Sequence, residues 1–174
     1  SISHYKKAVQ LKPEYSEAHF NLGVTLNKWN QSEQAIGHLE EAIRLDPNFA
    51  EAHIALGNIL FLKNNFETAL YHFETTLKID PNNAIAHNSL GSVLGQQKNF
   101  EQAIVHFNTS IKINPDDAEA HHNLGLAFSV LGQDAKDGRF CLNCNPKAVH
   151  HFQIADGIRL KNGSWNNAKK YNEL

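Results

Sequence analysis

The chain is short of several things, and each shortage narrows what it can be. It has no excess of one charge: 16 Lys and Arg stand against 18 Asp and Glu, a formal net charge of −2, with a pI near 6.6. That leaves no basic footprint for a nucleic acid partner. No apolar run reaches the roughly 18–20 residues of a membrane span, so no membrane span is expected, and no secretory signal is visible. There is no Gly-rich phosphate-binding loop, no His-Glu-x-x-His and no nucleophile elbow. The expected protein is therefore not an enzyme and needs no cofactor. Methionine is absent even at position 1, which fits a piece of a longer chain.

What the sequence has in quantity is itself. The stretch Ala50–Asn83 reads AEAHIALGNILFLKNNFETALYHFETTLKIDPNN, and shifting it by 34 residues in either direction lays it over a close copy. Leu-Gly recurs as Leu22-Gly23, Leu56-Gly57, Leu90-Gly91 and Leu124-Gly125. An Ala-x-x-x-large step recurs as Ala35/Leu39, Ala69/Phe73 and Ala103/Phe107, and the turns Asp46-Pro47, Asp80-Pro81 and Asn114-Pro115 close the units. Self-similarity at one period decides the fold before any single motif does.

These residues resemble the tetratricopeptide repeat (TPR) family, in which each 34-residue unit is a helix–turn–helix. The Trp often found three residues before the repeat's Leu is His here each time: His19, His53, His87 and His121. Physical reasoning gives the same architecture. Ala52, Leu56, Ile59 and Leu60 fall at helical spacing, as do Phe66, Ala69, Leu70, Phe73 and Leu77. Gly57 and Ala69 let two helices approach, and Phe73 can fill the space beside a glycine. Pro81 turns Asp80 away from helical geometry, and the polar residues after it can cap the next helix. One unit cannot bury its apolar face alone, so units must stack. The expected fold is all-α, a right-handed superhelical solenoid of antiparallel helix pairs.

The boundaries follow from the register. Residues 1–15 read as a half repeat, so the chain is expected to come from a longer array. Full repeats span 16–49, 50–83 and 84–117, and a further repeat spans 118–161. That last repeat resumes its spacing at Ala148, Phe152 and Ala155, so residues 137–147 form an inserted loop. The insertion costs roughly 1–1.5 kcal/mol of closure entropy, about two doublings of loop length. Asn162-Gly163 reads as a helix stop and Ser164 as a helix start, so residues 164–174 form a terminal helix or the start of a truncated repeat.

Three groups of residues invite a chemical reading. Nine of the 11 histidines fall in two columns, His19, His53, His87 and His121, and His4, His38, His72, His106 and His151. Equivalent residues in a stack lie roughly 10 Å apart, from helix packing at 8–10 Å, whereas zinc holds nitrogen at about 2.1 Å. One column alone therefore cannot chelate, and a site needs both columns to converge. Cys141 and Cys144 in the inserted loop form a C-x-x-C. Haem attachment would need His where Asn145 stands. A redox pair, a local disulfide, or a zinc site recruiting His150 or His151 stays open, beside two cysteines with no chemistry of their own.

The third group is implied by the resemblance. In TPR arrays the first helix of each pair lines a concave groove in which ligands lie. Here the lining is Glu17, Phe20, Asn21 and Val24, then Glu51, Ile54, Asn58, Phe61 and Leu62, then Asn88, Ser92 and Gln96, then His122 and Asn123. Phe20, Ile54, Asn88 and His122 occupy the place of the first Lys in the clamp that binds chaperone C-termini, so that ligand does not fit. The asparagines are similar to the more regular Asn row of O-linked N-acetylglucosamine transferase arrays, interrupted here by Ala55 and Ser89. The expected function is a non-catalytic protein-interaction scaffold, cytoplasmic, holding a protein or peptide ligand in the groove. Two alternatives stand beside it: a substrate-recruiting arm of a larger enzyme such as a glycosyltransferase or hydroxylase, and a carrier for the Cys141/Cys144 loop. An open solenoid end also offers a surface for self-association.

Overall fold

The structure, a computed structural model, describes residues 2–131 and 146–162. Their regular structure is helical throughout: α1 (Ile2–Leu11), α2 (Ser16–Lys28), α3 (Ser32–Leu45), α4 (Ala50–Leu62), α5 (Phe66–Ile79), α6 (Ala84–Gln96), α7 (Phe100–Ile113), α8 (Ala118–Leu131) and α9 (Pro146–Lys161). The helices divide into two compact units, Ser1–Ser89 and Leu90–Leu174, with the boundary inside α6.

In the first unit, α2 packs on α3, α3 on α4 and α4 on α5, while α2 also touches α4. Leu22, Leu26, Ala35, Leu39, Leu56 and Ile59 form its core, and Ile2, Tyr5 and Val9 of α1 close it from one side. The repeated small residues decide how near the helices come. Ala35 and Ala69 are fully buried, as are Ala42 and Thr76 one turn beyond the large residue of the step. Thr76 donates its hydroxyl proton to the His72 carbonyl at 3.0 Å, so this buried polar group is satisfied within its own helix. At Gly57 the Phe73 ring takes the space a side chain would need: a Cβ there would stand 2.6 Å from Phe73 Cε1.

The second unit repeats these contacts. Its α7 packs on α8 and α8 on α9, with Ala103, Phe107, Ala120, Leu124, Ala148, Ala155 and Ile158 buried. Phe107 lies over Gly91 and Phe152 over Gly125, as Phe73 lies over Gly57. The start of α9 differs from expectation. Pro146 and Lys147, assigned to the inserted loop by the repeat spacing, belong to the helix. Proline is favoured at the first helical position, where its missing N–H would have no partner anyway.

Turns within and between pairs use different devices. Asp46, Asp80 and Asn114 are extended at the ends of α3, α5 and α7, because the following proline crowds the helical conformation. Asp46 then accepts from the Asn48 amide, and Asp80 from that of Asn82. Asn83 caps α6 by accepting from the Ala86 amide at 3.0 Å. Asp117 caps α8, accepting from Glu119 and Ala120. Tyr15 and Phe49 hold the same position before α2 and α4 and make no side-chain cap.

Inside the pairs α2/α3, α4/α5 and α6/α7 the first helix ends in a left-handed residue: Asn30 (φ 58°), Asn64 (φ 62°) and Lys98 (φ 62°). The next amide bonds back five residues, Gln31 to Leu26, Asn65 to Leu60 and Asn99 to Leu94, which satisfies carbonyls the helix end leaves open. Asparagine tolerates this conformation and lysine does not favour it. Lys98→Gly is therefore expected to stabilise the protein by about 0.5–1 kcal/mol, read as a rise in Tm. An unchanged or lower Tm would contradict it.

Candidate functional site

The two histidine columns meet. His19 Nδ1 lies 3.2 Å from His38 Nδ1, His53 Nδ1 lies 2.9 Å from His72 Nδ1, and His121 Nδ1 lies 3.1 Å from His151 Nδ1. Each pair ties the first helix of a repeat to the second. The partners are 19 residues apart in the first two pairs and 30 in the last, so the inserted residues leave the pairing intact.

The other ring nitrogen of each first-column histidine faces the carbonyl of the proline six residues earlier. The distances are 3.1 Å for His19 to Pro13, 3.2 Å for His53 to Pro47, 3.1 Å for His87 to Pro81 and 3.1 Å for His121 to Pro115. A carbonyl only accepts, so Nε2 carries the proton and Nδ1 of the neutral ring is left as acceptor. In the three pairs the second-column histidine must then donate its Nδ1–H. The ring centroids of the pairs lie 5.1–5.3 Å apart. That is close to the greatest separation two rings can have at these nitrogen distances. The nitrogens therefore point at each other, as a hydrogen bond requires, rather than both at a third point, as a metal would require.

Burial lowers four of these rings, His38, His53, His72 and His151. It pushes His72 down to about 4, with a charge on His53 as the second cause. His53 is lowered by burial against the opposing pull of the Pro47 carbonyl. His38 is lowered by burial, then by His19 and Lys6, with Glu41 acting the other way. His151 is lowered by burial, then by His121 and His150. His150 stands edge-on to His151 at 5.4 Å. Among the described residues no group of three or more His, Cys, Asp or Glu is placed to hold a metal. Cys141 and Cys144 lie outside the described residues.

The first-helix residues divide into buried and available ones. In the first unit, Ile54 and Asn88 are buried; each lies one turn before a packed glycine, Gly57 or Gly91, and so on the inner edge of its helix. Phe20 is half-buried with its ring 4.9 Å from Phe49. Phe61 is half-buried with its ring 5.7 Å from Phe66. Asn21 and Val24 are half-buried, whereas Glu17, Glu51 and Asn58 are exposed. Leu62 is 76% exposed. Asn58 accepts from the Ser89 hydroxyl at 3.3 Å. In the second unit, Asn123 donates to Ser92 Oγ at 3.4 Å and Gln96 is exposed. His122 packs against the Phe152 ring at 5.4 Å and is lowered by burial and by Arg159.

The comparisons with known proteins agree with this architecture. The family profile described as "TPR repeat" matches residues 25–63, 57–98 and 93–132, and one described as "Tetratricopeptide repeat" matches residues 4–37. The chain belongs to the tetratricopeptide repeat family, and its fold is the all-α TPR solenoid of helix pairs. A crystal structure of MamA is 25% identical, with a TM-score of 0.75 over 94% of this chain and 90% of that one. A second MamA structure gives 25% identity and a TM-score of 0.72 over 95% of this chain and 84% of that one. MamA 41-end from Desulfovibrio magneticus RS-1 shares the fold at 19% identity, with a TM-score of 0.74 over 92% of this chain and 84% of that one. No curated protein sequence matches the chain. The protein is thus a TPR scaffold of the kind that engages other proteins. No helix among the described residues is long and apolar enough to cross a membrane.

Proposed function

We propose that the chain holds an extended peptide or a partner helix against its first helices and performs no chemistry on it. The observation that carries this reading is on α4. Ile54, Asn58, Phe61 and Leu62 share one helical face by their spacing, and along it the surface passes from buried Ile54 to exposed Asn58 and Leu62. Leu62 contributes little to the core from this position. Burying it under a ligand would recover part of the roughly 1.5–3 kcal/mol of a fully buried aliphatic side chain. Asn58 offers an amide that can both donate to and accept from a peptide backbone. Glu17 and Glu51 add negative charge at the start of α2 and α4.

The test is affinity for peptides selected from a random library on the intact protein. Asn58→Ala with Leu62→Ser removes one amide and one exposed apolar group, neither part of the core. Binding is expected to weaken roughly 10- to 100-fold, with helix content unchanged by circular dichroism. Undiminished affinity in the double variant overturns the proposal.

A further inference from the structure

We propose that these three histidine pairs are acid-sensitive clasps, each joining the first helix of its repeat to the second only while the pair carries at most one added proton. The geometry carries this. In His19/His38, His53/His72 and His121/His151, a proline carbonyl fixes the tautomer of the first ring, and the second ring donates into it. Adding one proton to Nε2 of the second ring keeps the Nδ1–H···Nδ1 bond. A second proton can only enter at the shared position. It sets N–H against N–H at about the same distance and places two charges in a half-buried contact. The clasp then has no bonded arrangement.

The surroundings do little to relieve that. His72 meets the Tyr71 ring edge-on at 5.3 Å; besides burial, the Pro47 carbonyl acts on His53 and His53 acts on His72. His19/His38 faces Lys6 from α1, which opposes a proton, and Glu41 on α3, which favours one. Glu41 is itself engaged by Arg44 at 2.6 Å. His151 faces His150 on its own helix, and the Phe128 ring of α8 stacks on it at 5.9 Å. Lys147 lies over that Phe128 ring.

The sign follows from linkage. The folded-state values of His38, His53, His72 and His151 are all below the ordinary 6.5. The unfolded chain therefore takes up protons first as pH falls. Stability is fully present above about 6.5 and is lost from there down to about 4, the His72 value. The loss is spread over three repeats rather than confined to one residue, because each of them carries its own pair.

Two measurements decide it. Nitrogen-15 NMR of the imidazoles at pH 7 should show His19, His53 and His121 as Nε2–H tautomers and His38, His72 and His151 as Nδ1–H tautomers. Two independent titrations near 6.5 in each pair would overturn the proposal. Thermal unfolding should then be compared between the wild-type protein and His38→Asn/His72→Asn/His151→Asn, since the Asn amide can still donate to the first-column ring. Between pH 7 and pH 4.5 the wild-type Tm is expected to fall by roughly 10 °C or more, and the variant's by about half as much. An equal fall in both overturns it, and the NMR tautomers decide the matter on the wild-type chain if the triple variant does not fold.

Discussion

Phe73→Ala is expected to destabilise the first unit by about 3–5 kcal/mol, the range for emptying a large aromatic site in a packed core. Phe73 is 1% exposed, and its ring rests directly on the backbone of α4 at Gly57, where a Cβ would meet Cε1 at 2.6 Å and Cζ at 3.0 Å. The surrounding side chains cannot collapse into the space it leaves, because the helix opposite presents only a glycine there. The cost is therefore expected at the upper part of that range. In a stack of repeats, stability is a sum of unit and interface contributions. Amide exchange is therefore expected to speed up most in α4 and α5. Chemical denaturation followed by circular dichroism measures the total, and hydrogen exchange places it. A loss below about 1 kcal/mol would mean that the ring's contact with α4 is not the joint described here.

The second large effect is a reversal of sign. Gly57→Ala alone is expected to destabilise. Alanine gains about 1 kcal/mol over glycine in a helix interior, but overpacking against a rigid ring costs about 1–3 kcal/mol. The clash is with the body of an aromatic ring, not with the tip of a flexible chain, so the cost exceeds the gain. In a Phe73→Ala background the same Gly57→Ala change meets open space and is expected to stabilise by about 1 kcal/mol. The coupling between the two sites is then the overpacking cost itself, about 1–3 kcal/mol, above the few tenths by which independent sites deviate from additivity. Four denaturation curves measure it. If Gly57→Ala has the same effect in both backgrounds, the glycine is present for some reason other than room for Phe73.

Most of the helix boundaries were legible along the chain. The 34-residue period, the Leu-Gly pairs and the Ala-x-x-x-large steps place α2 to α8, since a helix needs only the spacing of its apolar positions and a stop signal. The junction before α9 was less legible. Spacing alone assigned Pro146 and Lys147 to the loop, because repeat alignment finds where the pattern resumes and not where the helix begins. The left-handed turn residues were missed, although they too recur at 34. Asn30, Asn64 and Lys98 share no side-chain chemistry that singles them out.

The site was legible only in part. The first-helix residues could be named in order, but not sorted. Ile54 and Leu62 are both aliphatic and eight residues apart on α4, yet one is buried and the other is 76% exposed. The histidine columns were visible as columns, and their convergence was not. A constant separation of 19 residues between His19 and His38, and between His53 and His72, was the available signal. It is a separation across a turn, and helical periodicity says nothing about which atoms meet there.

Taken alone, then, the amino-acid order determined that helices would come in pairs, where small residues would face large ones, and that each repeat would reuse one set of contacts. These depend on spacing along a single helix and on residue size, both of which are local. Only the packed helices decided that the two histidine columns bond to each other, and that a proline carbonyl sets the tautomer of one ring. Those outcomes depend on how closely two helices approach and at what angle, and that is set by every side chain between them at once.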